Sequence, residues 1–216
     1  MDSKVIIVNM KNYSESTGKK FDLMMLNMKA SSNDYRKIVS PSYLDLHKGE
    51  LYPDFEFFAQ HVDEYDPGPF TGKIIMENLL YNGIHGSLLN HSENRIPPER
   101  IKKILEKARK LDFEIVLCVE ALEEARDYIR YEPDYIAYEP RELIGGNISV
   151  SSSKPEIISD IVKIAEGFSS KILVGAGIKN GDDVKKAIGL GASGILVSSG
   201  IVKAKDPSVA LNSLMK

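Results

Sequence analysis

The chain has 216 residues, with 28 Lys and Arg against 31 Asp and Glu, a net charge of −3, and 43% hydrophobic residues. That apolar content excludes a disordered chain, the length fits one large domain or two small ones, and the lack of a basic surplus excludes nucleic acid as the main partner. One cysteine, Cys118, excludes an internal disulfide, and one thiol with four scattered histidines makes no zinc cluster.

The first apolar run, Val5-Ile6-Ile7-Val8, is too short for a signal-peptide core. It reads instead as a strand over residues 4–9. Further β-rich runs follow at 37–40, 55–60 and 86–90. Pro97-Pro98-Glu99 then opens a helix over 101–111, with Ile101, Ile104, Leu105 and Ala108 on one face. A strand at 114–119 precedes the acidic segment 120–127, which reads as a solvated helix face, and another strand covers 135–138. Ser153 is placed to cap a helix with Glu156 three residues on, followed by Ile157, Ile158, Ile161, Val162 and Ala165. After a strand at 172–175, Asn180-Gly181-Asp182-Asp183 leads into a helix over 184–190 that Gly191 stops. The last strand, 194–197, is followed by Asp206-Pro207 opening a final helix. The uncharged stretch 187–202 is interrupted by Gly189, Gly191, Gly194 and Gly200, and is shorter than the ~20 apolar residues of a membrane span. A soluble, cytoplasmic protein is expected, with no membrane partner.

Eight strands alternating with helices imply right-handed βαβ units. Their number favours a single α/β domain over residues 1–216, a closed (β/α)8 barrel of the TIM type. An open doubly wound sheet would carry a glycine-rich turn after its first strand, whereas Asn9-Met10-Lys11-Asn12 stands there.

In such a barrel the chemistry lies at the carboxyl ends of the strands. The residues that fall there are Asn9 and Lys11 after strand one, His91-Ser92-Glu93 after strand four, Glu139 after strand six, Gly175-Ala176-Gly177 after strand seven and Ser198-Ser199-Gly200 after strand eight. Taken singly, Lys11 reads as a surface lysine, His91 as a cap and Glu139 as a loop carboxylate. Together they make a cation, an imidazole and a carboxylate on one rim, beside two turns whose backbone N–H groups suit a phosphate. His47, His61 and His85 are assigned to structure, and Cys118, inside an apolar run, to packing.

At these residues the sequence resembles triosephosphate isomerase, in its short archaeal-type branch, essentially from end to end. The matching segments include Val8-Asn9-Met10-Lys11, Phe58-Ala59-Gln60-His61-Val62-Asp63, Leu89-Asn90-His91-Ser92-Glu93-Asn94-Arg95 and Ala137-Tyr138-Glu139-Pro140 through Leu143-Ile144-Gly145. Gly175-Ala176-Gly177-Ile178 and Val197-Ser198-Ser199-Gly200 complete the set. The resemblance implies interconversion of dihydroxyacetone phosphate and glyceraldehyde 3-phosphate through an enediolate. It makes Glu139 the base, His91 a neutral electrophile, Lys11 the fixed positive charge and Asn9 a hold on the oxygen end. It gives Glu93 and Thr71 supporting places, and lays the phosphate against Ile144, Gly145, Gly177, Ser198 and Ser199. No metal or organic cofactor is implied, because enediol chemistry needs only a base, an electrophile and a dry pocket.

Residues 140–150 would form a lid that excludes water. The family's usual Ile-Gly-Thr-Gly is replaced here by Ile144-Gly145-Gly146-Asn147. The loop 66–72 resembles the segment that inserts into a neighbouring subunit near Lys11, so a homodimer or homotetramer is expected. Lys73 stands where many relatives carry an acidic residue, which leaves the ion pair behind that loop open. Two other readings share these turns: another phosphosugar-binding barrel such as a phosphoribosyl isomerase or a phosphate-ester synthase, and a barrel that binds phosphosugar without turning it over.

Overall fold

Eight parallel strands form one sheet in the order β3-β2-β1-β8-β7-β6-β5-β4. The computed structural model describes residues 4–28, 34–140, 155–176 and 178–216. The strands are β1 (Lys4–Asn9), β2 (Tyr35–Ser40), β3 (Glu56–Phe57), β4 (Gly86–Leu89), β5 (Glu114–Val119), β6 (Tyr135–Tyr138), β7 (Lys171–Val174) and β8 (Gly194–Val197). The two sheet ends meet through a parallel bridge between Ala59 and Ser87. There Ala59 N–H donates to Gly86 O (2.9 Å) and Leu88 N–H to Ala59 O (2.8 Å). The barrel is thus closed by a single short bridge between β3 and β4.

Each strand alternates its side chains between two cores, as the period of two requires. Val5, Ile7, Ile38, Phe58, Leu88, Val116, Ala137, Leu173 and Leu196 fill the barrel interior. Ile6, Val8, Val39, Leu89, Leu117, Ile136 and Val174 face outward into the layer under the helices. Phe58 occupies the space inside β4: a Cβ on Gly86 would stand 2.4 Å from its ring, so only glycine fits there.

The same alternation carries polar residues into the barrel mouth at the amino ends. Arg36, two residues before Ile38, sends Nε to Glu56 (2.7 Å), Nη1 to Glu114 (2.6 Å) and Nη1 to the Tyr135 hydroxyl (2.9 Å). Its guanidinium also stands 5.6 Å from the Phe58 ring centre. One cation between two carboxylates, and so held firmly in its charged form, ties β2 to β3, β5 and β6 across the floor of the barrel.

The described α-helices are α1 (Lys19–Asn27), α2 (Met76–Tyr81), α3 (Pro98–Leu111), α4 (Leu122–Ile129), α5 (Pro155–Ala165), α6 (Gly181–Gly189), α7 (Ser199–Val202) and α8 (Pro207–Leu214), with a 3-10 helix over Leu46–Leu51 between β2 and β3. Asn180 and Asp206 cap α6 and α8 with their side chains, as their sequence positions suggest. The expected Ser153 cap lies outside the described residues. Several boundaries differ from the sequence reading: α3 starts at Pro98 rather than 101, α6 runs Gly181–Gly189 rather than 184–190, β7 runs Lys171–Val174 rather than 172–175, and β4 ends at Leu89 rather than 90. Three further differences have a visible cause. β2 begins at Tyr35, two residues early, because Lys4 and Val5 extend its ladder. Strand three is regular only over Glu56–Phe57, since Ala59 leaves β2 to bridge β4. The 120–127 segment is not simply solvated: α4 buries Ala125 and Ile129, and Glu124 is half-buried, pairing with Arg95 and accepting from Glu120 N–H at 2.7 Å.

Candidate active site

The inward columns that fill the barrel continue past its carboxyl rim. Val5-Ile7 leads to Asn9, Tyr135-Ala137 to Glu139, Leu173 to Gly175 and Leu196 to Ser198, each two residues on. His91 would be out of phase with Leu88. Asn90 corrects this by taking a left-handed conformation, φ 60°. Its side chain is tied on both sides, Nδ2 donating to Cys118 O (3.1 Å) and Oδ1 accepting from Ile96 N–H (3.2 Å). The columns and this one turn converge on a cavity of about 400 Å³, lined by Asn9, Lys11, His91, Glu139, Ser198 and Ser199 among others. That volume suits a small ligand.

Glu139 is 6% exposed and His91 7%. Glu139 Oε2 lies 3.5 Å from His91 Nε2 and makes no hydrogen bond among the described residues. Burial lifts the Glu139 carboxyl to about 7, with Lys11 and the Cys118 thiol opposing and Glu93 and Glu120 adding to the rise. Burial lowers the His91 imidazole, and the Lys11 charge lowers it further. The hydrogen bonding agrees. Glu93 N–H donates to His91 Nδ1 at 3.2 Å, which fixes a neutral ring with its proton on Nε2, facing Glu139. The residues after His91 make a single turn, closed by Asn94 N–H to His91 O (2.8 Å), rather than the start of a helix. One directed N–H therefore suffices to disfavour imidazolium.

Lys11 sits opposite, its ammonium 2.6 Å from Glu93 Oε1 and its side chain 15% exposed. Its backbone is left-handed, φ 51°, and its N–H donates to Asn9 Oδ1 at 3.0 Å. After β8, Ser198 and Ser199 line the cavity at the start of α7, where helix-initial N–H groups have no intrahelical acceptor. The Ser198 hydroxyl is buried with no hydrogen-bond partner among the described residues.

Of the site residues expected from sequence, Asn9, Lys11, His91, Glu93, Glu139, Ser198 and Ser199 line one cavity. Ile144, Gly145 and Gly177 lie outside the described residues, as do Gly146 and Asn147 of the expected lid. Thr71 is exposed on the loop after β3 and does not line the cavity. In that loop Phe70 stacks on Tyr65 (4.4 Å between centroids), and Lys73 Nζ lies 3.6 Å from Asp63 Oδ1. Arg95 pairs with Glu124.

Sequence reasoning missed Tyr13 and Lys179, which also line the cavity, and it gave Gly175 only a place in a turn. A Cβ on Gly175 would fall 2.3 Å from Glu139 Cγ and 2.8 Å from Cδ. Gly175→Ala is therefore expected to displace the carboxylate and lower kcat by roughly 100-fold, with a smaller change in KM. Steady-state kinetics of that variant check this, and wild-type kcat would show that Glu139 needs no such clearance.

A parallel eight-stranded barrel whose carboxyl rim gathers a buried carboxylate, a neutral imidazole and an ammonium is a (β/α)8 enzyme of the proton-transfer class. Comparison with known proteins narrows the class to one family. The family model for triosephosphate isomerase matches residues 4–215. A Thermoplasma volcanium protein named triosephosphate isomerase is 53% identical over 211 residues, covering 98% of this chain and 99% of its own. Proteins of the same name from Cenarchaeum symbiosum and Methanobrevibacter smithii are 41% and 38% identical, over 98% and 100% of this chain and 96% and 99% of theirs. The chain belongs to the triosephosphate isomerase family, and it is an isomerase acting on triose phosphates.

Proposed function

We propose that the described cavity carries out this isomerisation within one barrel domain, with Glu139 as base and His91 as electrophile. The observation that carries the reading is their convergence: two titratable groups, each almost wholly buried, meet 3.5 Å apart with the imidazole's proton directed at the carboxylate's side of the cavity. Glu139 takes the C1 proton of dihydroxyacetone phosphate while His91 Nε2–H donates to the C2 oxygen, giving the enediol. His91 then recovers a proton from the C1 oxygen, and Glu139 returns its proton to C2, giving glyceraldehyde 3-phosphate. A carboxyl lifted towards neutrality can both accept and return a proton near pH 7.

Lys11 supplies fixed positive charge where the enediolate oxygen and the phosphate dianion lie, and Glu93 orients it. Asn9 steadies the oxygen end and the Lys11 backbone. The phosphate rests on backbone N–H groups at Ser198 and Ser199, completed by Ile144, Gly145 and Gly177. A coupled assay with glyceraldehyde 3-phosphate tests the assignment. Turnover that vanishes with Glu139 supports it, and phosphoglycolate binding without any turnover overturns it.

We further infer that the enzyme works in the cytoplasm as a homodimer or a multiple of it. Supporting this are the single buried thiol, Cys118, and apolar side chains left open on the β2 and β3 side, Leu44 and Phe70 among them. Among the described residues no helix is long and apolar enough to cross a membrane. Sedimentation equilibrium is expected to return at least twice the 24.0 kDa chain mass; the mass of one chain would rule self-association out.

A further inference from the structure

Lys11 is held in a conformation that a side chain with a Cβ resists, and its own residue type does not explain why it stays there. Left-handed backbone is strained for lysine. Such strain persists only where neighbours over-determine it. The neighbours that reach the Lys11 peptide can be traced. Asn9 Oδ1 accepts its N–H at 3.0 Å. Ser16, wholly buried further along the loop, donates its hydroxyl to Met10 O at 2.9 Å. Asn9 ends β1 and Ser16 lies further along the same loop, so they tie the turn to its own strand and to itself but not to the neighbouring strands.

Gln60 does what they cannot. It follows Phe58 by two residues and so continues the inward column of β3 above the barrel interior. Its Nε2 donates to Lys11 O at 2.9 Å and to Ser40 O at 3.1 Å. Ser40 ends β2, and its carbonyl also accepts Met10 N–H at 3.0 Å. Both amide hydrogens of Gln60 are thus spent on carbonyl oxygens, one in the turn after β1 and one at the end of β2. The amide orientation follows, since Oε1 could face neither carbonyl. Glutamate in the same place would set a carboxylate against two carbonyl oxygens.

We propose that Gln60 is a positioning residue for the isomerisation: it pins the strained Lys11 peptide to the ends of β2 and β3 and so keeps the Lys11 ammonium over the cavity beside Glu93. The proposal rests on the role given to Lys11 above and adds to it the group that maintains its geometry.

The test compares full-length wild type, Gln60→Met, Gln60→Asn and Lys11→Met for kcat, KM with glyceraldehyde 3-phosphate, inhibition by phosphoglycolate, and Tm. Met keeps the length of the side chain and removes both donors. Asn keeps the donors but falls short of the carbonyls by about 1.5 Å, one C–C bond. Gln60→Met is expected to weaken phosphoglycolate binding about tenfold and to lower kcat/KM by on the order of 100-fold, with Gln60→Asn close behind. A role confined to barrel stability would lower Tm and leave the inhibition constant alone. Wild-type phosphoglycolate affinity in Gln60→Met, beside weakened binding in Lys11→Met, overturns the inference on its own. Wild-type affinity in Lys11→Met overturns the Lys11 role and takes the inference with it. If Gln60→Met does not fold, Gln60→Asn is judged by the same constant.

Discussion

Glu139→Gln is expected to lower kcat by roughly a thousandfold or more, in line with the ~10²–10⁴ that a positioned base contributes, while phosphoglycolate still binds. The amide is nearly the same shape as the carboxylate but cannot accept the proton. Turnover that survives the change would remove Glu139 from the reaction. The wild-type pH profile belongs to the same prediction. Burial raises the Glu139 carboxyl, so the acid limb of kcat/KM should stand above the ordinary carboxylate range, displaced towards neutrality.

A stability consequence follows from the same shift, and its sign runs opposite to that of a salt-bridged acid. The folded pKa is about 7 against an ordinary value of 4.5. Folding therefore favours the protonated form, and ionisation costs stability as pH rises through 7. The neutral amide introduced by Glu139→Gln carries no such cost. At pH 8 the variant should be more stable than wild type by up to about 3 kcal/mol, and the difference should fade as pH falls from 7 to 4.5. Thermal unfolding of both proteins at the two ends of that window checks it. A variant less stable than wild type at pH 8 would mean that the carboxylate is better solvated in the folded protein than its burial implies.

Lys11→Met is expected to abolish measurable phosphoglycolate affinity and to lower kcat/KM by about 10³-fold, the upper end of what one preorganised donor at a developing charge supplies. Two effects combine. The dianion loses its charged partner, and Glu93 loses the ammonium 2.6 Å away. The profile should move as well. Lys11 lowers both the Glu139 carboxyl and the His91 imidazole, so its removal should carry the acid limb of any residual activity upward. Normal KM, or an acid limb that stays in place, would show that Lys11 faces away from the reacting atoms.

Much of this site can be read from the order of residues, because it lies where strand periodicity puts it. Val5, Ile7 and Asn9 form one inward column, and so do Tyr135, Ala137 and Glu139. Each polar member marks the point where an apolar run meets the rim. The parallel ladders are legible for the same reason, since strands buried on both faces read as continuous apolar runs. What escapes that reading depends on partners far along the chain. α1 and α2 start without a side-chain cap, at Gly18 and Ile75, and are held by packing of Phe21, Met24, Met25, Met76 and Leu79. Glu124 lies in an acidic run that looks solvated until Arg95, 29 positions earlier, is seen to face it. Lys11 gives no hint of its left-handed backbone, and Gln60 none of the two carbonyls it joins. Gly175 resembles any turn glycine until Glu139 occupies the space its side chain would need.

The closure between β3 and β4 has a further meaning for the working enzyme. Asn9, His91, Glu139, Gly175 and Ser198 all belong to β1, β4, β6, β7 and β8 or the turns directly after them, and the unbroken ladder β1-β8-β7-β6-β5-β4 joins those strands. The thin bridge at Ala59 and Ser87 lies where that arc ends. The groups fastened along the arc therefore hold their spacing through ladders that do not cross the joint, as points on a split ring do. The distance between base and electrophile is left to a frame that has no joint in it.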